Sequence, residues 1–300
     1  MERLSTSYVF NRTLSGVMEN RSKLVDMYEQ IASGKQVRKA SDDPVLTARI
    51  LDFQRNVNDI TQSERYVVTA QNDLSTEESV LTQTQTLLMR ARTLIMQGRN
   101  GTQGPDNKQI IGSEVNQILE QVSELSNSLN SDGAYIFAGY RADNEAYTFT
   151  RVGGDITGST YNGDSFSVEK TVSPTLKVKV SHPGDEIFTT PTVNIFDELI
   201  QARDDLLAGN APSNANLANL DAGIDSVTQG ITDIGARTNK VDSASEVNKL
   251  LKNSMEVSLS KIRDLDLPTA ITHFTQLETS VEAINNTFAR VSKISLFDYI

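Results

Sequence analysis

The chain of 300 residues contains two histidines, His182 and His273, and imidazole is a common metal ligand and acid–base group near neutral pH. Neither histidine has a second histidine at helical spacing, and the motifs HExxH, GxxxxGKS/T, GxSxG and GxGxxG do not occur. His182 precedes Pro183 and Gly184, which favour a turn, so we predict that His182 is a turn residue rather than a ligand.

Adjacent carboxylates are the other groups that could share a proton or hold a cation, and they occur at Asp42–Asp43, Glu77–Glu78, Asp185–Glu186 and Asp204–Asp205. Neighbouring residues on a helix point to different faces, which is poor geometry for a shared acid–base site. We therefore predict that these carboxylates cap helices or face solvent. Gly153-Gly154-Asp155 lacks the repeated ligands of a calcium site. The sequence thus predicts no catalytic, cofactor-binding or metal-binding residue, and we do not expect an enzyme.

Composition narrows the class of protein further. Cysteine is absent, which excludes disulfides, thiolate metal sites and cysteine nucleophiles. Hydrophobic residues make up 38% and aromatic residues 6%, without tryptophan, and this favours long helices with a narrow buried seam over a thick globular core. The net charge of -11 argues against nucleic acid as a partner, because binding phosphates requires a basic face.

The charge is unevenly spread along the chain. Residues 1–60 carry a net charge of +1, residues 241–300 carry -2 and residues 61–240 carry -10, which suits a polymer whose ends pack inside while its middle faces water. Met1–Gln30 lacks the apolar stretch of a secretory signal, and no segment approaches the roughly 18 apolar residues of a membrane span. We therefore expect no membrane association, and either a cytoplasmic protein or export by a route that reads no cleaved signal.

The first predicted helix has apolar residues three and four positions apart, at Leu14, Val17, Leu24, Tyr28 and Ile31. Gly34 is predicted to end this helix, because glycine readily takes the left-handed conformation found at helix C-termini. After a short loop, Asp42, Asp43 and Pro44 start the next helix. Aspartate accepts the free amide hydrogens of a first turn, and proline loses no hydrogen bond there.

The second predicted helix has apolar residues in one heptad register, at Ile50, Phe53, Val57, Ile60, Val67, Leu74, Leu81, Leu88 and Ile95. About 53 residues rising ~1.5 Å each give a rod of roughly 80 Å. The alternate seam positions are polar, at Glu64, Gln71, Glu78, Gln85 and Arg92, so we expect this helix to need several partner helices. A glycine-rich turn follows, and a third helix returns along the rod with its apolar face at Ile111, Val115, Ile118, Val122, Leu125 and Leu129.

Short antiparallel strands are predicted between Gly133 and Pro191, a segment with seven of the 17 glycines. Residues 165–169 and 177–180 alternate between polar and apolar side chains, as in strands with one buried face. Helices resume over Val193–Leu207 and again from Leu217. The last helix has the tightest heptad pattern, at Phe274, Leu277, Val281, Ile284, Phe288 and Val291.

The predicted fold is mainly α, with a small β domain. A long antiparallel, coiled-coil-like helical rod is formed by the N- and C-terminal segments, and the β segment is inserted in the middle. The predicted parts are terminal helices at 1–42 and 256–300, a rod at 43–133 and 193–255, and a β-rich domain at 134–192. The apolar stripes of the terminal helices can pack within one chain or between subunits, and the sequence leaves both possibilities open.

Residues 31–44 (IASGKQVRKASDDP) resemble the N-terminal signature of the flagellin superfamily, in which a helix ends at Ser-Gly and a double aspartate starts the next helix. Three other stretches resemble the hook-associated junction members of that superfamily more than flagellins, and these are Tyr135–Tyr140, Tyr161–Asp164 with Gly184–Phe188, and the C-terminal Ser295–Ile300. The resemblance covers essentially the whole chain. Pro268 departs from it, because the family usually runs this stretch as plain helix, and the sequence leaves the continuity of the last helix near residue 268 open.

The resemblance implies a structural subunit of the flagellar axis, located outside the cell at the hook–filament junction. It implies self-assembly into a short zone on the first hook-associated protein, with flagellin assembling on top. It further implies export through the flagellar type III apparatus, with a chaperone bound to the C-terminal region. The apolar residues of both terminal helices, together with Leu296 and Phe297, would form the assembly interface of an inner tube.

Two other interpretations stay open. One is flagellin itself, the filament subunit of the same superfamily. The other, from a different class, is a cytoplasmic helical adaptor or signalling rod, against which the β insertion argues. For a junction protein, we expect residues 1–40 and 270–300 of the isolated monomer to be largely unstructured, because weak seams need partner helices from neighbouring subunits.

Overall fold

The computed structural model describes residues 6–101 and 104–297. In these ranges the helices are α1 (Thr6–Ser33), α2 (Pro44–Gly98), α3 (Pro105–Ser126), α4 (Gly184–Ile187), α5 (Ile195–Leu207), α6 (Asn214–Arg263) and α7 (Leu267–Phe297). The strands lie between α3 and α4, and they are β1 (Tyr147–Val152), β2 (Asp155–Tyr161), β3 (Glu169–Ser173) and β4 (Leu176–Lys179). The predicted class is confirmed, because a mainly helical chain carries a small β insertion in its middle.

The chain forms two compact units. The terminal unit comprises residues up to 58 together with residues from 251 onward, and the central unit comprises residues 59–250. The β insertion belongs to the central unit, together with α3, α5 and most of α2 and α6. The finer three-part division of the sequence stays a prediction.

The heptad of α2 forms the middle of the central unit's core. Val67, Leu74, Leu81, Leu88 and Ile95 are all buried, because residues seven apart return to the same side of a helix. Three of the polar seam positions of α2 bond to α6, with Gln71 to Asp242 at 2.7 Å, Gln85 to Thr228 at 2.7 Å and Arg92 to Asp221. Helix α6 is therefore one of the partners that the half-polar seam requires.

Helix α3 buries Val115, Ile118 and Val122 as its pattern predicts. Its end differs from the prediction, since the helix stops at Ser126 and Leu129 is an exposed residue beyond it. The Asn127 side chain explains the early end, because it exchanges two hydrogen bonds with the backbone of Tyr147, at 2.7 and 2.8 Å. The chain is thereby diverted from the helix toward β1.

The strands form two antiparallel hairpins, β1 with β2 and β3 with β4. Gly153 and Gly154, both with positive φ, make the tight turn of the first hairpin. The strand predicted at 165–169 is mostly wrong, because β3 begins only at Glu169. The Asp164 carboxylate instead accepts the N–H of Phe166 at 3.1 Å and holds the start of this segment in a turn.

An aromatic cluster joins the β insertion to α5. Tyr147 is fully buried, and its ring lies 4.9 Å from that of Phe196 and 5.8 Å from that of Phe188. Its hydroxyl donates to the carbonyl of Gly184 at 2.8 Å. Burial raises the pKa of Tyr147, so its hydroxyl stays protonated and remains a donor. The hairpin is thus anchored by packing and by a satisfied polar group.

Candidate assembly surface

A backbone bridge joins the end of α1 to the interruption between α6 and α7 in the terminal unit. Gly34 follows α1 with φ +66°, the left-handed conformation that glycine takes without steric cost. Its carbonyl accepts the N–H of Leu265 at 2.9 Å, and the N–H of Gln36 donates to the carbonyl of Arg263 at 2.8 Å. These two bonds place the end of α1 beside the start of α7, so the two helices run antiparallel.

The loop between α1 and α2 is held by its two aspartates. Asp43 accepts the N–H of Leu46 at 2.9 Å, which is the N-cap bond of a helix that starts at Pro44. Asp42 accepts the N–H of Lys39 at 3.0 Å, and this hydrogen bond lowers the pKa of Asp42. One aspartate therefore caps α2 while the other closes the preceding turn.

The structure answers the question that the sequence left open at Pro268, because the helix is interrupted just before this residue. Helix α6 ends at Arg263 and α7 begins at Leu267, which places Pro268 in the first turn, where an amide hydrogen is not needed. The Asp266 carboxylate accepts the Thr269 hydroxyl at 2.7 Å, and the Asp266 carbonyl accepts the N–H of Ala270 at 2.9 Å. The proline therefore starts a helix here instead of breaking one.

Helices α1 and α7 pack against each other along a thin seam. The predicted assembly residues that are partly buried in the terminal unit are Leu14, Leu24, Ile31, Phe274, Leu277, Val281, Ile284 and Phe288. Among the described side chains of this unit, the buried apolar ones are Val17, Leu259 and Ala270. The side chains of Val291, Leu296 and Phe297 lie outside the described residues. A seam with so few buried side chains leaves most of its apolar surface partly hydrated.

A second apolar stripe of α1 lies beside this seam and is open to solvent. Tyr28, a predicted interface residue, is 62% exposed, Met18 is 64% exposed and Val25 is 52% exposed. By the helical period these three side chains fall within about 40° of Leu14 around the helix axis, while Ser15 lies on the polar face opposite Val17 and Leu24 of the seam. We call Met18, Val25 and Tyr28 the open flank. Met18 and Val25 were missed in the sequence, although the spacing that identifies Leu14 and Tyr28 includes them.

The candidate chemical groups lie in the central unit, and the structure corrects two predictions about them. His182 is not a turn residue, because it lies just before α4 as a 4% exposed side chain whose ring contacts Glu77 and Asp233. Glu77 is fully buried, so it neither caps a helix nor faces solvent. Within residues 6–101 and 104–297, no cluster of three or more histidines and carboxylates is arranged to hold a metal ion. The helices of the same ranges include none long and apolar enough to cross a membrane.

Two family profiles match the helical regions. Residues 4–142 match the bacterial flagellin N-terminal helical region, and residues 217–300 match the bacterial flagellin C-terminal helical region. The two aspartates and the open flank therefore fall within the N-terminal match, α7 falls within the C-terminal match, and the bridge joins one match to the other.

Similar proteins extend the relationship to the whole chain. Flagellar hook-associated protein 3 of Salmonella typhimurium is 24% identical over 322 residues, covering 98% of each chain. The protein of the same name from Escherichia coli is 23% identical with the same coverage. The solved structure of flagellar hook associated protein-3 from Legionella pneumophila has the same fold, with a TM-score of 0.64 over 71% of this chain and 98% of that one, at 16% identity. The chain therefore belongs to the bacterial flagellin family.

Proposed function

We propose that this chain is a structural subunit of the bacterial flagellum that joins the hook to the filament as a hook-associated protein. The observation that carries the proposal is the open flank of α1, an apolar stripe beside a seam too thin to bury it. Such a stripe costs solubility unless another helix covers it. The end-to-end similarity to hook-associated protein 3 favours the junction over the filament.

In this proposal the terminal helices form the inner part of a polymer. Residues 1–42 and 256–300 would assemble as an inner tube, residues 43–133 and 193–255 would form the rod, and residues 134–192 would lie outermost. The charge distribution supports placing the two terminal segments inside, since residues 61–240 hold nearly all of the net negative charge. Charged surface is stable in water, whereas nearly neutral helices bury at lower cost.

The proposed partners follow from the same arrangement. The open flank and the outer sides of the α1–α7 seam would contact copies of this chain within the zone. One end of the zone would meet the first hook-associated protein and the other would meet flagellin. Before assembly, the C-terminal region would be covered by a chaperone of the flagellar type III apparatus, which exports the chain to the cell exterior without a cleaved signal.

Deletion of the gene tests the proposed function. We expect non-motile cells with finished hooks, no filaments, and flagellin monomers shed into the medium. Hooks without filaments and without shed flagellin would show that the chain is itself the filament subunit. Normal filaments and normal swimming would overturn the proposal. Staining of hooks and immunoblotting of the culture medium distinguish these three outcomes.

A further inference from the structure

His182 links three elements of the central unit. It lies between β4 and α4 and is 4% exposed. Its Nδ1 lies 2.9 Å from Oε1 of Glu77 on α2, and its Nε2 lies 3.1 Å from Oδ2 of Asp233 on α6. The backbone N–H of His182 also donates to Oε1 of Glu77, at 2.8 Å. One side chain thus connects the end of the β insertion to both long helices.

The charged groups around the ring come from three helices. Glu77 faces it from α2, and Asp233 and Arg237 face it from α6, where Arg237 pairs with Asp233 at 2.5 Å and donates to the carbonyl of Ser181 at 3.3 Å. An open depression next to the ring is also lined by acidic residues, Glu186 of α4 and Asp225 of α6. The positive charge that balances this acidic surrounding comes from Arg237 and, when protonated, from His182.

Hydrogen-bond geometry determines which form of the ring fits. Each ring nitrogen faces a carboxylate oxygen, and an ionised carboxylate can only accept. A neutral imidazole carries one N–H, so it would turn a nitrogen lone pair toward either Glu77 or Asp233. The imidazolium carries two N–H groups and satisfies both. The pocket is therefore complementary to the protonated form.

We propose that the His182 imidazolium is a pH-dependent clamp that fastens the end of the β insertion to α2 and α6. When the proton is lost, one of the two carboxylate contacts becomes repulsive and a buried negative charge is left without its counterion. The segment around His182 then loosens from the two helices. The clamp does not involve the assembly surface on α1, so its test is independent of the test of the proposed function.

The direction of the pH dependence follows from the pKa of His182. Burial alone would lower this pKa, but the hydrogen bond and the attraction to Glu77, aided by the hydrogen bond to Asp233, outweigh it and raise the pKa above its ordinary value of 6.5. The stabilisation is therefore fully present below the pKa of an unfolded histidine. It is lost as the pH rises through the higher pKa of the folded state.

The first test is the titration of both histidine rings in the full-length chain by NMR. His273 lies on an exposed face of α7, so the variant His273→Gln assigns the two signals and is the matched control. We expect His182 to titrate above the ordinary histidine pKa of 6.5. A His182 titration at or below that value would overturn the proposal, and this result does not depend on any variant of His182 folding.

The second test compares thermal unfolding between pH 6 and pH 9. We expect the Tm of the wild type and of His273→Gln to fall by about 2–4 °C more than that of His182→Gln, whose side chain cannot change its charge in this range. Hydrogen exchange of residues 180–187 should rise over the same interval, after correction for intrinsic rates. Parallel Tm curves for all three chains, or unchanged exchange at 180–187, would contradict the clamp.

Discussion

Lys35 and Asp264 face each other across an isolated antiparallel bridge, although 229 positions separate them in the sequence. Their neighbours Gly34 and Gln36 form the two backbone bonds of the bridge. This contact fixes which turns of α1 meet which turns of α7, because α1 ends and α7 begins at the bridge and the two helices run side by side in opposite directions. The register of the seam, and the position of the open flank next to it, therefore depend on a few residues in the loop.

Gly34→Ala should weaken this arrangement. Residue 34 has a positive φ, which costs an L-residue with a side chain about 1–2 kcal/mol, while no atom stands in the way of the new methyl group. Gly16→Ala is the matched control, because Gly16 is inside α1 with equally free space, and alanine should stabilise the helix by about 0.5–1 kcal/mol. Urea denaturation followed by helical circular dichroism measures both changes. If both variants changed the free energy of unfolding in the same direction, the positive φ of residue 34 would cost alanine no strain.

Val25→Asp tests the open flank as a contact between subunits. Val25 is 52% exposed in the single chain, so a carboxylate there should leave the folded monomer within about 0.5 kcal/mol of the wild type. In an assembly that covers the flank, the same carboxylate would be buried without a partner, and complementation of motility should fail. Ser15→Asp places the same charge on the polar face of α1 and should keep motility. Swimming assays of both variants in the deletion strain test whether the open flank is buried between subunits. Full motility with Val25→Asp would show that the open flank is not part of the interface.

Elements could be predicted from the sequence where the signal is a residue pattern within a single helix. The heptad from Val67 to Ile95 identified the buried side of α2, because its period is a property of one helix. The contact between Glu77 and His182 could not be predicted, since 105 positions separate the two residues. The sequence shows only that Glu77 is next to another carboxylate, Glu78, and such a pair usually faces solvent. The strand predicted at 165–169 failed for a related reason. Alternation is a weak signal in so short a segment, and a single carboxylate, Asp164, redirects the backbone.

Amide hydrogen exchange should be faster in the terminal unit of the isolated chain than in its central unit. The terminal unit buries few apolar side chains among its described residues, whereas the α2 heptad of the central unit is almost completely buried. Amides of α1 and α7 should therefore exchange much faster than those around Leu74 and Leu81, because little apolar burial opposes local opening. Mass spectrometry of the dilute monomer gives the rates. Slow exchange throughout α1 and α7 would contradict the expectation that these helices need partners from neighbouring subunits.

Asp164→Ala should destabilise the edge of the β insertion. The Asp164 Oδ1 accepts the N–H groups of Tyr140 and Phe166, both at 3.1 Å, and thereby holds their exposed rings in a stack with centroids 5.8 Å apart. Removal of this acceptor leaves two amides without a protein partner, and we expect a loss of about 1–3 kcal/mol in the free energy of unfolding.

Asp164→Asn is the matched variant for this carboxylate. It keeps the acceptor oxygen without its charge, so it should lose only part of that stability, because hydrogen bonds to an ionised acceptor are the stronger ones. Urea denaturation gives the free energies, and near-ultraviolet circular dichroism reports the tyrosines without a tryptophan signal, since the chain has no tryptophan. Equal stability of the alanine variant and the wild type would mean that solvent replaces both bonds. The stacked pair would then be held by its own ring contact rather than by Asp164.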